Sequence, residues 1–326
     1  MVSDRDIDNA VAHLRAGGLV AFPTETVYGL GADASNPAAV RRIYDVKGRP
    51  ADHPVIVHIA DAVQMANWTR QIPQTAQQVA RSFWPGPLTI ILRRAEKVSD
   101  TVTGGQDTVA LRVPSHPVAQ QLLRRFGGGV AAPSANRFGR VSATTAEHVR
   151  REFGGAVECV LDGGEADLGL ESTILDLSGN APRLLRPGWI SARAVEDAIG
   201  RKLVTPDATA PRAPGTLATH YAPQTPLMLV EEDLAMELAA SLVRQGRRVA
   251  VLAFSDKRPL VEGLTWLAAS PGVAAYAHEL YANLRALDDA GCDTILVERP
   301  PQGAEWAAVN DRLSRAAAGT VAPEDI

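Results

Sequence analysis

Apolar positions in the first part of the chain fall into short runs separated by stretches of helical period. Runs of strand character are Leu19–Phe22, Val55–Ile59, Leu88–Leu92, Val109–Val113, Val130–Ala132, Cys159–Leu161 and Thr173–Leu177. Each is short and bounded by turn-forming residues, as strands are. Some follow each other without room for a crossover helix, so the sheet they predict is mixed. Asn36 before Pro37 reads as an N-cap and an N1 proline, opening a helix that ends near Lys47 and Gly48. Thr144 and Glu147 read as a capping box for another helix, closed by Gly154 and Gly155.

Between Thr205 and Pro226 the periodicity stops, and Pro206, Pro211, Pro214, Pro223 and Pro226 oppose regular structure. The order then becomes strand (Leu227–Val230), helix (Leu234–Gln245), strand (Val249–Phe254), helix (Val273–Ala290), strand (Thr294–Glu298) and helix (Trp306–Ala317). That alternation predicts a small parallel, Rossmann-like sheet without the glycine-rich turn of dinucleotide binders. The expected organisation is an α/β domain with a twisted mixed sheet over 1–203, a linker over 204–226 and a smaller Rossmann-like α/β domain over 227–326.

Length supports the division, because 326 residues exceed what one hydrophobic core usually serves. No apolar run approaches the roughly 20 residues that span a bilayer, and the N-terminal stretch mixes acidic with apolar residues, so a cytoplasmic protein without membrane contact is expected. Cys159 and Cys292 lie far apart and outside any zinc-binding spacing. The net charge is -4, and residues 1–200 hold 21 basic against 21 acidic side chains. Nucleic acid is therefore not the expected main ligand, and any anion site must be a local cluster.

The P-loop, kinase, HExxH and GxSxG signatures are all missing. Four polar segments stand out against the apolar strands. Pro23 to Gly31 follows a strand with hydroxyls and glycines able to line a ligand. Lys47, Gly48, Arg49 and Pro50, then His53 and Pro54, place cations on a backbone stiffened by prolines, which suits either a helix C-terminus or phosphate. Period two in Thr108–Pro114 directs Val109, Leu111 and Val113 to a core and Thr108 and Arg112 to the other face, where an arginine needs an anionic partner or solvent. In the strand Val55–Ile59, the same rule sets His58 opposite Val55, Val57 and Ile59. Ala132 to Ser142 joins short hydroxyl and amide side chains to two arginines near a helix N-terminus, a composition fit for an anion.

In order, Pro23-Thr24-Glu25-Thr26-Val27-Tyr28-Gly29-Leu30, Lys47-Gly48-Arg49-Pro50, Trp84-Pro85-Gly86-Pro87-Leu88-Thr89, Leu111-Arg112-Val113-Pro114, Pro133-Ser134-Ala135-Asn136, Glu171-Ser172-Thr173-Ile174 and Leu185-Arg186-Pro187-Gly188 resemble the YrdC-like family of threonylcarbamoyl-AMP synthases. The linker's Ala213-Pro214-Gly215 and His220-Tyr221-Ala222-Pro223 extend the likeness to the family's long form. The resemblance implies a nucleotidyltransferase that makes threonylcarbamoyl-AMP and pyrophosphate from ATP, L-threonine and bicarbonate or carbon dioxide, with magnesium accompanying the triphosphate. The product would pass to the machinery that modifies tRNA next to the anticodon, and a weak RNA contact is a further expectation. It also implies that Thr26, His58, Arg112, Ser172 and the backbone at Ala132 contact threonine. Arg49, His53, Thr108, Ser134, Ser142 and Arg186 would contact ATP, Lys47 its phosphates, and Tyr221 in the linker would close over the nucleotide. Lys47, Arg49 and Arg112 are the residues expected to carry catalysis, and no metal-ligand set is expected from the protein. The sequence departs from the family at His53, where asparagine is common, and at Thr216-Leu217-Ala218 in the linker.

Overall fold

The structure is a computed structural model that describes residues 2–231, 234–255 and 261–319. It divides into two compact units, Met1–Phe138 with Ser142–Thr216, and Gly139–Val141 with Leu217–Ile326. The first unit runs α1 (Asp4–Arg15), β1 (Val20–Phe22), β2 (Gly29–Asp33), α2 (Pro37–Lys47), β3 (Ile56–His58), α3 (Gln74–Phe83), β4 (Leu88–Arg93) and the single turn α4 (Asp100–Thr103). It continues through β5 (Thr108–Arg112), α5 (Pro117–Phe126), β6 (Val130–Ala131), α6 (Ala146–Phe153), β7 (Cys159–Val160), β8 (Thr173–Asp176), β9 (Arg183–Arg186) and α7 (Ala192–Ile199). Its strands form one mixed sheet in the order β7-β1-β2-β6-β3-β5-β4-β8-β9. Only β1 with β7, β3 with β5 and β4 with β8 run parallel.

Local chemistry explains the helix ends. The Asn36 side chain accepts the N–H groups of Ala38 and Ala39, and Gly48 stops α2 at a φ of 63°, a left-handed conformation that suits glycine. The start of α6 corrects the sequence reading, since Thr145 and not Thr144 is its N-cap, accepting from the His148 N–H at 3.2 Å. The Thr144 N–H donates back to His148 Nδ1 at 3.3 Å, so the histidine takes the reciprocal role that a capping box would give Glu147. Strands β2 and β9 were not expected. Glycines weaken the strand signal of β2, yet Gly31 is needed there, because a Cβ would lie 2.7 Å from Val130 and 2.8 Å from Phe22. In β9, Arg183-Leu184-Leu185-Arg186 does not alternate.

The sheet's two faces differ. On one, Leu19, Ala21, Leu30, Val57, Ile90, Leu111 and Leu175 are buried in a core shared with α2, α3, α6 and α7. On the other, α1 and α5 pack over Val20, Phe22 and Val130, so they serve the half built from β1 and its neighbours. The half from β3 to β9 is crossed by the segment leading to Thr216, whose Ala213 is buried against Ile56, Ile91, Ala110 and Ile174. Gln106 ties this segment down by accepting the Arg212 N–H at 2.7 Å and donating to the Arg212 carbonyl at 3.1 Å.

The second unit contains β10 (Leu227–Val230), α8 (Ala235–Arg244), β11 (Val249–Ala253), β12 (Leu264–Ala268), α9 (Val273–Asp289), β13 (Thr294–Glu298) and α10 (Ala307–Ala317). Its strands form a parallel sheet, β10-β13-β11-β12, as the alternation predicted. The addition is β12, an edge strand that is only partly buried and so carries a weak hydrophobic signal. Both cysteines are free thiols. Among the described residues no helix is long and apolar enough to cross a membrane.

Candidate active site

Strand register assembles the site. His58 on β3 faces Arg112 on β5, and Ile174 on β8 is the partner of both Thr89 on β4 and Arg186 on β9. Period two therefore brings His58, Arg112, Thr89, Ser172 and Arg186 onto the face crossed by the Ala213 segment, over about 14 Å from β5 to β9. Thr108 stands on the same face at the other end of β5.

Arg112 is buried, and each of its three guanidinium nitrogens makes one hydrogen bond. Nε donates to the Gly86 carbonyl at 3.3 Å, Nη1 to Thr26 Oγ1 at 2.9 Å and Nη2 to Glu25 Oε1 at 2.7 Å. Of the two surroundings open to Arg112 in the sequence, an anionic partner or solvent, the structure supplies the first in Glu25; its Oε2 accepts the Ser115 N–H at 3.0 Å. Thr26 Oγ1 also lies 2.8 Å from Thr24 Oγ1. Beside this group His58 is almost wholly buried, with its ring edge-on to Phe22 at 5.9 Å. Burial, then the Arg112 charge, pushes its pKa down to about 3, so it is a neutral imidazole. Its Nδ1 has no hydrogen-bond partner among the described residues.

The pH dependence of stability follows from His58. Between pH 6.5 and about 3 the unfolded chain protonates this histidine while the folded chain does not. Stability should then fall on acidification by about 1.4 kcal/mol per pH unit from this group, and the loss should be complete below the folded pKa. Chemical denaturation across that window should show a shallower slope in His58→Gln; equal slopes would show that His58 does not titrate in this way.

Ser172 Oγ lies 2.7 Å from Thr89 Oγ1 and accepts from Arg186 Nη2 at 3.2 Å. Arg186 also grips the Ser172 carbonyl at 2.9 Å and the Pro214 carbonyl at 2.9 Å, joining β8 to the crossing segment. Gly188 lets the turn after β9 press on β8, since a Cβ there would lie 2.4 Å from the Thr173 nitrogen.

A second cluster surrounds the end of α2 and the entry to β3. Lys47 is buried, and its Nζ donates to the Ser134 carbonyl at 2.7 Å and, more closely, to that of Asn136. Burial, then the Arg49 charge, holds its amine well below the usual lysine range. Arg49 Nη2 donates to the Pro54 carbonyl at 2.8 Å, and its guanidinium sits 5.6 Å from the Phe138 ring centroid. His53 meets the same ring edge-on at 5.3 Å, and burial and Arg49 lower its pKa. Phe138 was not singled out in the sequence, because an aromatic in a polar loop carries no charge signal. Ser142 Oγ donates to Glu171 Oε1 at 2.6 Å. The Ala132 N–H donates to the Ile56 carbonyl at 2.9 Å, so the group it can offer a ligand is its own carbonyl. Tyr221 belongs to the second unit, where its ring stacks on Tyr281 at 5.9 Å and lies 5.2 Å from the Arg312 guanidinium.

Residues 12–188 match the family described as Telomere recombination, and residues 190–318 match the C-terminal domain of threonylcarbamoyl-AMP synthase. The chain belongs to the threonylcarbamoyl-AMP synthase family. It has the long form, with the added C-terminal domain. It is 40% identical to the threonylcarbamoyl-AMP synthase of Pyrococcus abyssi, over 94% of this chain and 92% of that one. The Bacillus subtilis synthase is also 40% identical, over 98% and 95%. A crystal structure of P. abyssi Sua5 complexed with L-threonine superposes with a TM-score of 0.90 at 39% identity, covering 98% of this chain and 96% of that one. The mixed sheet with its separate C-terminal unit is thus a synthase fold.

Proposed function

We propose that the polar face from β3 to β9 holds L-threonine beside ATP and joins them, through carbon dioxide or bicarbonate, into threonylcarbamoyl-AMP with release of pyrophosphate. The observation that carries this reading is the row of buried cationic and hydroxyl side chains on one sheet face, in a chain of this family. Arg112 takes the amino-acid carboxylate, with Thr26, Ser172, the neutral His58 and the Ala132 carbonyl arranged around the rest of the amino acid. Lys47, Arg49, His53, Thr108, Ser134, Ser142 and Arg186 address the nucleotide, and Tyr221 is assigned to it by resemblance alone.

In the first step the threonine ammonium gives up a proton to solvent, and the resulting amine nitrogen bonds to the carbon of carbon dioxide with release of a second proton to solvent, giving a carbamate. A carbamate oxygen then attacks the α-phosphorus of ATP, and the bond to the bridging oxygen breaks to release pyrophosphate. No protein nucleophile is required, so alignment and charge stabilisation by this chain's cations can supply the catalysis. Binding a triphosphate favours the charged ammonium of Lys47, which burial otherwise disfavours. Among the described residues no cluster of His, Cys, Asp or Glu is arranged to hold a metal ion. A magnesium ion entering with the triphosphate would supply further charge neutralisation at the phosphates. The product is a substrate for the tRNA threonylcarbamoyltransferase machinery, and we place the enzyme in the cytoplasm with it.

Pyrophosphate release from ATP and bicarbonate should require L-threonine, with serine supporting far less. Release that is equal with and without threonine would sink the proposal.

A further inference from the structure

We infer that Glu25 is a positioning residue for threonine, aiming the Arg112 guanidinium at the amino-acid carboxylate. This rests on the proposed reading of the site. A guanidinium carries five N–H donors in a rigid fork. Among the described residues, three are taken, by Gly86, Thr26 and Glu25. The two that remain belong one to each terminal nitrogen, and they are the donors left for a substrate carboxylate. Which way that pair faces depends on the three anchors, of which Glu25 is the one with charge.

Glu25 is itself fixed. Its Oε2 accepts the Ser115 N–H just beyond β5, and its carbonyl accepts the Leu168 N–H at 2.8 Å. Thr24 Oγ1 donates to the Val27 carbonyl at 2.6 Å, which pins the loop on the other side. The carboxylate therefore reaches Arg112 from a rigid base that also grips the exit of the Arg112 strand. The pair has side-chain exposures of 4% and 5%, so solvent cannot substitute for either partner. Glu25 also offsets the Arg112 charge within the buried pair.

The test uses the full chain. In Glu25→Gln the threonine KM should rise at least 10-fold, while kcat at saturating threonine and ATP affinity without threonine stay within about 3-fold. A merely structural role would disturb ATP binding as much as threonine binding. In an Arg112→Lys background the same change should add less than 2-fold, because Glu25 acts through the guanidinium. If Glu25→Gln does not fold, Glu25→Asp keeps the charge, shortens the reach by one methylene and should also raise the threonine KM with ATP binding intact. An unchanged threonine KM in a folded variant overturns the inference. Loss of threonine-dependent pyrophosphate release in the parent enzyme would instead overturn the reading of the site.

Discussion

Arg49→Ala is expected to lower kcat for threonine-dependent pyrophosphate release about 10²-fold or more, the scale for losing one preorganised charge-stabilising donor. The guanidinium is held by the Pro54 carbonyl and the Phe138 ring, so it needs little reorganisation when charge develops on the departing pyrophosphate. The variant has a second effect of opposite sign. Arg49 is the charge that, after burial, most disfavours the Lys47 ammonium, so its removal lets Lys47 protonate more readily. Arg49→Lys should rescue less than half of the lost kcat on a logarithmic scale, since an ammonium keeps charge without the fork. The measurement is steady-state kinetics alongside thermal unfolding. Parental rates in a folded Arg49→Ala enzyme would remove Arg49 from the site.

Much of this site was legible along the chain, for a physical reason. An arginine in an apolar strand of period two has to face an anionic partner or solvent, and that alone put Arg112 on the face opposite Leu111. The same rule turned His58 away from Val57. What the pattern did not reveal was the partner, because Glu25 lies 87 residues away in a loop whose fold depends on hydroxyl bonds to its own backbone. Register between distant strands is likewise invisible in a single sequence: that Arg186 would share a row with Thr89 emerges only once β8 pairs with both neighbours. Strand β2 escaped because glycine at Gly29 and Gly31 answers to close packing, which weakens every local strand signal. The Thr145 cap was missed by one residue because Thr144 and Thr145 offer the same hydroxyl, and what separates them is which one accepts the His148 backbone N–H.

Arg112→Ala should remove two things at once, and separating them is the purpose of the second substitution. Threonine affinity should fall at least about 10²-fold, because a charged bidentate contact is lost from a buried site. Stability should also fall by about 3–5 kcal/mol, since the change strands the Glu25 carboxylate in the interior without its partner. For a unit of this size that corresponds to a drop in Tm on the order of 10 °C. Arg112→Lys keeps a cation beside Glu25 but cannot reach Gly86, Thr26 and Glu25 together, so it should recover most of the stability and little of the threonine affinity. Calorimetric threonine titration and thermal unfolding of both variants measure the two effects. If the lysine variant bound threonine as the parent does, charge alone would suffice and the guanidinium fork would have no role in recognition. If the alanine variant kept the parental affinity, Arg112 would be no more than a structural partner of Glu25.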